Sequence, residues 1–179
     1  MVTETDVLAI VSDRLSAQGF PFMLTGSFAL GYYATPRMTR DLDIVVALNA
    51  DNVDALITAF SADFYVDADD VRMAIGAERL FNMMHFESGI KVDFIIRKSS
   101  AYREHEFSRR QQVSMGSAET WIVSREDLIL SKLLWALAAQ SELQERDVRQ
   151  LLNGPLDAAY INKWAPILGV DELLQRLLP

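Results

Sequence analysis

The sequence predicts an α+β protein with a helical C-terminal extension. Up to about residue 123, helical apolar periodicity alternates with short apolar or alternating segments that are typical of strands. From Ser124 onward, every segment has helical periodicity. A length of 179 residues suits one domain, or one domain with a small appendage, since domains commonly contain ~100–200 residues. We therefore predict an α+β domain over residues 1–123 and a helical region over residues 124–179 that is packed on it.

Local patterns place the elements of the first part of the chain. Val7, Val11 and Leu15 recur at helical spacing and predict an amphipathic helix. Ser27 follows a glycine at the end of an apolar run, where a helix N-cap is expected, and Pro36 ends that helix. The predicted elements are a helix at 3–18, a strand at 21–26, a helix from Ser27, a strand at 41–48 and a helix at 49–60.

Residues typical of turns and helix caps predict the elements of the rest of the chain. Ser88-Gly89 separates two strand-like segments and predicts a hairpin, and two further short strands are predicted around Gly116-Ser117. Ser124, with Asp127 three residues later, is a capping box at the start of a long apolar helix. The predicted elements are strands at 81–87, 90–96, 110–115 and 119–124, a helix at 124–140, a helix ending at Asn153 and two short helices beyond it. The three tryptophans, Trp121, Trp135 and Trp164, are expected in the core rather than as stacking surfaces for bases.

The amino-acid composition excludes several classes of protein and site. There is no cysteine, which excludes a disulfide framework, a thiolate nucleophile and a cysteine zinc site. His85 and His105 are the two histidines, so a three-histidine metal site is also excluded. No apolar run approaches the ~20 residues that cross a bilayer, and the first ten residues carry two acids where a signal peptide would be basic. We expect a cytoplasmic protein with no membrane partner.

The charge balance is acidic, with 17 basic and 25 acidic residues and a net charge of −8. A surface that holds duplex nucleic acid by its phosphates is usually basic, so this balance argues against a large nucleic-acid interface. Residues 97–110 are the exception, because five Lys or Arg and two Glu give this segment a net charge of +3. This segment leaves room for contact with a short stretch of RNA.

Two aspartates on one predicted strand are the strongest chemical signal. Side chains alternate along a strand, so Asp41 and Asp43 point to the same face with Cα atoms ~6.6 Å apart. Such carboxylates raise one another's pKa unless a cation neutralises them, and carboxylate oxygens suit Mg²⁺ or Mn²⁺. Asp93 lies on another apolar strand, where a lone acid is costly without a partner. If the two strands are neighbours, three carboxylates face one pocket and could hold the metal ions of a phosphoryl-transfer site.

Gly26-Ser27 is the second signal. A glycine at the end of a strand lets the backbone approach a phosphate, and the first N–H groups of the following helix are free to bind it. Arg37 and Arg40 could reach such a phosphate, pair with the aspartates or remain solvated. A Gly-Ser pair alone is usually a turn, and an Asp-x-Asp strand is often an exposed edge. Their occurrence together, in this order, favours a site for a nucleotide.

The combination of Gly26-Ser27, Asp41-Leu42-Asp43 and Val92-Asp93 resembles the DNA polymerase beta-like nucleotidyltransferase superfamily. The resemblance covers residues 22–96 and implies a mixed, twisted sheet with flanking helices. It implies that the Gly-Ser pair holds the triphosphate of an NTP and that the three aspartates bind Mg²⁺ or Mn²⁺. The candidate site residues are Gly26, Ser27, Arg37, Arg40 and Lys132 for the nucleotide, and Asp41, Asp43 and Asp93 for catalysis and the metal.

Arg37-x-Thr39-x-Asp41 is similar to small bacterial members, including the nucleotidyltransferase components of abortive-infection toxin–antitoxin systems. These often carry a lysine and an arginine-aspartate pair on C-terminal helices, which Lys132 and Arg146-Asp147 match loosely over residues 124–152. Lys132 lies in an otherwise apolar helix, so we expect its amine to reach out of the packed region, either to solvent or to a phosphate. The resemblance also implies a cognate antitoxin or toxin protein as a partner.

Three functions fit these residues. The first is metal-dependent transfer of a nucleoside monophosphate from an NTP such as ATP to a hydroxyl group of an RNA end, a protein or a small molecule, with release of pyrophosphate. The second is a non-catalytic partner in a toxin–antitoxin pair, which predicts degenerate acids. The third is a Mg²⁺-dependent nuclease, which would share the carboxylates but not the Gly-Ser loop. All three acids are intact, so we expect a nucleotidyltransferase.

Overall fold

The computed structural model describes residues 2–39 and 41–178. Within these residues, nine α-helices flank a mixed seven-stranded sheet, which confirms the predicted α+β class. The strands are β1 (Phe22–Thr25), β2 (Asp41–Val46), β3 (Phe64–Tyr65), β4 (Leu80–His85), β5 (Lys91–Ile96), β6 (Gln111–Met115) and β7 (Ala118–Ile122). The helices are α1 (Glu4–Ala17), α2 (Gly26–Tyr33), α3 (Val53–Phe60), α4 (Ala68–Ala77), α5 (Ala101–Ser108), α6 (Arg125–Ala139), α7 (Glu142–Leu152), α8 (Ala158–Ile167) and α9 (Asp171–Leu177).

The strand order is β3-β4-β5-β2-β1-β7-β6, so β2 lies in the middle of the sheet. It pairs antiparallel with β1 and parallel with β5. Burial alternates along β2, where Leu42, Ile44 and Val46 are buried against the core. The acids of β2 and β5 therefore lie on the opposite, open face of the sheet.

Two elements were not predicted from the sequence, β3 and α4. The first turn of α4 contains Asp69 and Asp70, and two residues, Val71 and Ala74, form its buried face. Its start is fixed by Asp67, whose carboxylate accepts hydrogen bonds from the backbone N–H groups of Asp69 (2.8 Å) and Asp70 (3.0 Å). The predicted cap of α2 is also wrong. This helix begins at Gly26, so Ser27 lies within its first turn.

The helices after residue 124 share one hydrophobic core with the sheet. A buried polar cluster around Asp127 reinforces this junction. The Asp127 carboxylate accepts hydrogen bonds from the hydroxyls of Tyr160 (2.6 Å), Ser124 (2.6 Å) and Tyr102 (3.3 Å), and from Arg109 Nε (3.1 Å). These bonds join α6 to α5 and α8. The boundary between residues 123 and 124 stays a prediction.

The three tryptophans have different environments. Trp121 and Trp164 are partly buried and pack against the core. The core prediction is wrong for Trp135, whose residue surface is 58% exposed, because its face of α6 borders a cleft rather than the sheet. None of the described helices is both long enough and apolar enough to span a membrane.

Candidate active site

The three predicted acids line one cleft on the open face of the sheet. Asp43 and Asp93 are register partners on the adjacent parallel strands β2 and β5, and Asp41 pairs in the same way with Lys91. The side chain of Asp41 is 52% exposed, whereas that of Asp93 is 17% exposed. The cleft has a volume of about 500 Å³. The described residues that line it include Gly26, Ser27, Arg37, Asp41, Asp43, Val45, Asp93, Ile95, Arg97, Lys98, Arg103, Leu128, Lys132 and Trp135.

The surroundings of Asp43 disfavour the charged form of its carboxyl group. Burial raises its pKa to about 6, and the neighbouring charges of Asp93 and Asp41 act in the same direction. A hydrogen bond from the backbone N–H of Ser27 opposes these effects. On Asp93, the Oδ1 atom is buried without a hydrogen-bond partner among the described residues. The pair therefore gathers negative charge that is only partly compensated.

Lys91 supplies the nearest compensating charge. Its Nζ atom donates to Oδ2 of Asp93 at 2.8 Å and lies 3.7 Å from Oδ2 of Asp41. The hydrogen bond to Asp93 is the main cause that raises the pKa of Lys91. Lys91 was not predicted as a site residue. Strand alternation could have indicated it, because Lys91 lies two residues before Asp93 and therefore on the same face of β5.

Gly26 brings the start of α2 against Asp43. Thr25 is the register partner of Asp43 across the β1–β2 pair, so the chain passes directly over the acid. Gly26 has a φ of +67°, and a Cβ atom at this position would lie 2.0 Å from Oδ2 of Asp43. Both conformation and space therefore require glycine. The free N–H groups of the first turn of α2 lie beside the carboxylates as a consequence.

Lys132 and Arg37 meet at Asp147, a residue of α7 that is almost fully buried. Lys132 Nζ donates to Oδ2 of Asp147 at 2.7 Å and to Oε1 of Gln144 at 3.0 Å. Arg37 Nε donates to the same Asp147 oxygen at 3.4 Å, and Arg37 Nη2 donates to the hydroxyl of Ser27. This chain of contacts connects the helical region to the first turn of α2.

The expectation that the Lys132 amine reaches out of the packed region is wrong. Lys132 is 4% exposed, because Asp147 and Gln144 on α7 receive the amine within the protein. Burial lowers its pKa, and the hydrogen bond to Asp147 opposes that shift. The sequence analysis noted the Arg146-Asp147 pair but did not assign it a role. The contact could not be anticipated, since it joins two separate helices.

Arg40 and the basic segment 97–110 are two further features that the sequence predicted for binding. Arg40, predicted to bind the nucleotide, lies outside the described residues. Within the basic segment 97–110, Arg103 pairs with Glu106 at 2.8 Å and Arg109 pairs with Asp127 at 3.1 Å. Part of the positive charge of this segment is therefore used inside the protein.

The carboxylate oxygens of the cleft are possible ligands for a divalent cation. Among the described residues, no three His, Cys, Asp or Glu side chains form a ready-made metal cage. Mg²⁺ rarely uses such a cage and commonly binds one or two carboxylates together with substrate phosphates. Asp43 and Asp93 offer hard oxygen ligands side by side, and within residues 2–39 and 41–178 no hydrogen-bond partner reaches Oδ1 of Asp93. The residues therefore fit a cation that is bound together with a nucleotide.

Comparison with protein families identifies the chain. The AbiEii family model, described as "Nucleotidyl transferase AbiEii toxin, Type IV TA system", matches residues 9–163. The chain belongs to this family. Membership of AbiEii confirms the resemblance to nucleotidyltransferases of the abortive-infection type, and it makes the protein a nucleotidyltransferase of the toxin–antitoxin class. The match extends over the sheet and over α6 and α7, which carry Lys132 and Asp147.

Solved structures of other nucleotidyltransferases share the fold of this AbiEii-family chain. A complex of ANT(2'')-Ia with adenylyl-2''-tobramycin is similar with a TM-score of 0.58 and 13% identity, over 90% of this chain and 94% of that chain. An antigenic nucleotidyltransferase-like protein from Paracoccidioides brasiliensis has a TM-score of 0.56 and 15% identity, over 83% and 74%. The lincosamide antibiotic adenylyltransferase LnuA, bound to lincomycin, has a TM-score of 0.55 and 14% identity, over 85% and 98%. A search of curated proteins gave no match.

Proposed function

We propose that this chain transfers a nucleoside monophosphate from an NTP to a hydroxyl group, in a reaction that depends on Mg²⁺ or Mn²⁺ and releases pyrophosphate. One observation carries the proposal. Asp43 pairs with Asp93 on one side and with Thr25, the residue before α2, on the other. Two carboxylates therefore lie directly beside a helix N-terminus, which combines ligands for a divalent cation with donors for a phosphate.

The triphosphate is proposed to bind at the first turn of α2. The first N–H groups of a helix have no partner within the helix, and that of Ser27 already donates to the carboxylate of Asp43, so an anion binds favourably at this end. Arg37 and Lys132 line the same cleft, and because both pair with the single carboxylate of Asp147, the three side chains together keep one positive charge. In all, the cleft is lined by five Lys or Arg and four Asp or Glu among the described residues, whereas the whole chain has a net charge of −8. The cleft is thus locally suited to an anion.

Asp41, Asp43 and Asp93 are the proposed metal-binding residues. A divalent cation held there would neutralise phosphate charge and lower the pKa of the attacking hydroxyl. The protein's own part is to orient the phosphates through α2 and to hold the acids on two rigid strands. The amine of Lys91 contacts Oδ2 of Asp93 and lies near Oδ2 of Asp41, so a cation that binds through these two oxygens would displace it.

The acceptor is proposed to be a hydroxyl group of an RNA end, a protein or a small molecule. The AbiEii description supports a cognate antitoxin as a partner, because it assigns the family to toxin–antitoxin systems. The alternative of a non-catalytic partner protein predicts degenerate acids. The three acids are present and line one cleft, which favours the enzyme.

Transfer of a label from each phosphate position tests the proposal. The protein is incubated with Mg²⁺, each NTP in turn, and total RNA, total protein or the antibiotics tobramycin and lincomycin as acceptors. We expect label from the α-phosphate on one acceptor class and label from the γ-phosphate in pyrophosphate. Label from the γ-phosphate on the acceptor, or absence of transfer with every NTP and acceptor, would contradict the proposal. Shortened RNA without NTP would indicate the nuclease instead.

A further inference from the structure

We propose that Trp135 forms one wall of a nucleobase site and stacks on the base of the bound NTP. This inference rests on the proposed function and adds to it a position for the base. In the proposed function the carboxylates hold the metal and the first turn of α2 holds the phosphates, but neither offers a flat apolar surface. Trp135 does so within the same cleft.

The spacing of α6 places Trp135 next to the phosphate-binding end of the cleft. Leu128, Ser131, Lys132 and Trp135 all line the cleft and follow one another at helical spacing, so they form a single stripe along α6. Lys132 and Trp135 are separated by three residues, or ~4.5 Å along the helix axis. A ligand whose phosphates lie near Lys132 therefore has the indole of Trp135 close by.

Trp135 is one of two large apolar residues of α6 that are strongly exposed, the other being Leu137 at 54%. The apolar residues Ile129, Leu130 and Leu133 of α6 are fully buried, whereas Trp135 is 58% exposed. The other two tryptophans have partners. Arg110 lies 4.9 Å from the ring centre of Trp121, and Trp164 lies 5.2 Å from Tyr102. In the described part of the chain, no aromatic or cation–π pair involves Trp135. Its ring face is available to a ligand.

The sheet supplies an apolar floor on the same side of the cleft. Val45 and Ile95 are register partners on β2 and β5, and each lies two residues beyond an acid on the same face. They are half-buried and line the cleft together with Leu128. The cleft therefore has an apolar stretch between the acids and the basic residues Arg97 and Lys98, which also line it. An apolar stretch of this kind suits a ribose or a base bound beside the phosphates.

The indole of Trp135 offers a nucleobase a surface on which to stack. Every nucleobase has a flat face that can stack on an aromatic ring, and such contacts commonly change affinity by roughly ten- to hundredfold. The cleft volume of about 500 Å³ lies within the range of small-molecule sites. We place the base of the NTP, rather than the acceptor, at Trp135 because Lys132, three residues earlier on the same stripe of α6, lines the same cleft as Asp43 and the first turn of α2.

Binding measurements on Trp135→Ala and Trp135→Phe test the inference. A non-hydrolysable NTP analogue and inorganic tripolyphosphate are titrated in Mg²⁺ against the wild type and both variants. We expect Trp135→Ala to weaken binding of the analogue roughly tenfold or more and to leave tripolyphosphate binding unchanged. Trp135→Phe should retain most of the affinity, because a phenyl ring also stacks.

Indole fluorescence provides an independent readout with a matched control. The analogue should quench the wild type and Trp164→Phe, and most of this quenching should be absent in Trp135→Phe. Two results together would overturn the base site and leave the proposed function intact. Trp135→Ala would bind the analogue as tightly as the wild type does, and it would also bind tripolyphosphate with unchanged affinity. Equal loss of both ligands in Trp135→Ala would also overturn it. If neither ligand bound to the wild type, the proposed function itself would be contradicted.

Discussion

The ammonium group of Lys91 lies between two of the three acids, 2.8 Å from Oδ2 of Asp93 and 3.7 Å from Oδ2 of Asp41. In the absence of a metal, this amine reduces the repulsion between carboxylates on neighbouring strands. It also competes with any divalent cation for the same oxygens. Lys91 therefore connects the stability of the metal-free protein to its affinity for the metal.

Replacement of Lys91 by methionine should separate these two effects. The metal-free variant should have a lower melting temperature, because Asp93 loses its partner. The Mg²⁺ concentration that gives half of the maximal stabilisation should be about tenfold lower in the variant, because the competing amine is gone. A tenfold change in affinity corresponds to ~1.4 kcal/mol of binding free energy. Thermal melts over a Mg²⁺ series measure both. Lys163→Met, at an exposed position, is the control. An unchanged Mg²⁺ midpoint would contradict competition at this site.

Alanine at Gly26 should abolish nucleotide binding, because its Cβ would lie 2.0 Å from Oδ2 of Asp43. Gly89 is a matched control. Its φ is also +67°, but a Cβ there meets nothing within 4 Å. Gly89→Ala should therefore show only the cost of a left-handed backbone, ~1–2 kcal/mol of unfolding free energy, with nucleotide binding retained. Calorimetric titration and denaturant unfolding compare the two. Equal effects of both substitutions would mean that the contact with Asp43 has no role.

Removal of the Lys132 amine should now affect folding as well as binding. Lys132→Met leaves Asp147 buried with Arg37 as its remaining cationic partner, which should cost about 3 kcal/mol of unfolding free energy. Adding Asp147→Asn should recover much of that loss, because the buried charge is removed with its partner. Urea unfolding of the wild type, both single variants and the double variant gives the coupling energy. Additive effects would contradict the ion pair.

The free energy of unfolding of the metal-free protein should depend on pH through Asp43. Its pKa is raised from the ordinary value of 3.8 to about 6, so folding favours the protonated acid. The resulting stabilisation is fully present below pH 3.8 and is lost as the pH rises through about 6. Asp43→Asn, which stays neutral, should thus exceed the wild type by ~3 kcal/mol above pH 6, and the difference should vanish near pH 4. Unfolding in EDTA across this range measures it. A constant difference at all pH values would contradict the raised pKa.

Much of the fold could be predicted from the sequence because its signals are local. Alternation in β2 put Asp41 and Asp43 on one face, and Ser124 marked the start of α6, where its hydroxyl accepts from the backbone N–H of Asp127. The start of α4 was missed because three acids, Asp67, Asp69 and Asp70, open it and only Val71 and Ala74 of its residues are buried.

The remaining features of the site depend on contacts between distant segments. Lys132 and Asp147 lie on different helices, and Arg37, which also donates to Asp147, lies far earlier in the chain. Helical periodicity identified α6 as apolar, but it could not show that one stripe of the helix borders a cleft. For that reason the exposure of Trp135 and the burial of Lys132 became visible only in the folded chain.

Pyrophosphate release by the wild type and by single substitutions of the central acids tests the central claim most directly. With Mg²⁺, NTP and the acceptor identified by label transfer, Asp43→Asn and Asp93→Asn should each lower the rate at least ~100-fold. Asp13→Asn, at an exposed position on α1, should leave the rate unchanged. Melting temperatures at neutral pH confirm that each variant is folded. Pyrophosphate release at the wild-type rate by folded Asp43→Asn or Asp93→Asn would contradict the assignment of the carboxylate pair as the active site.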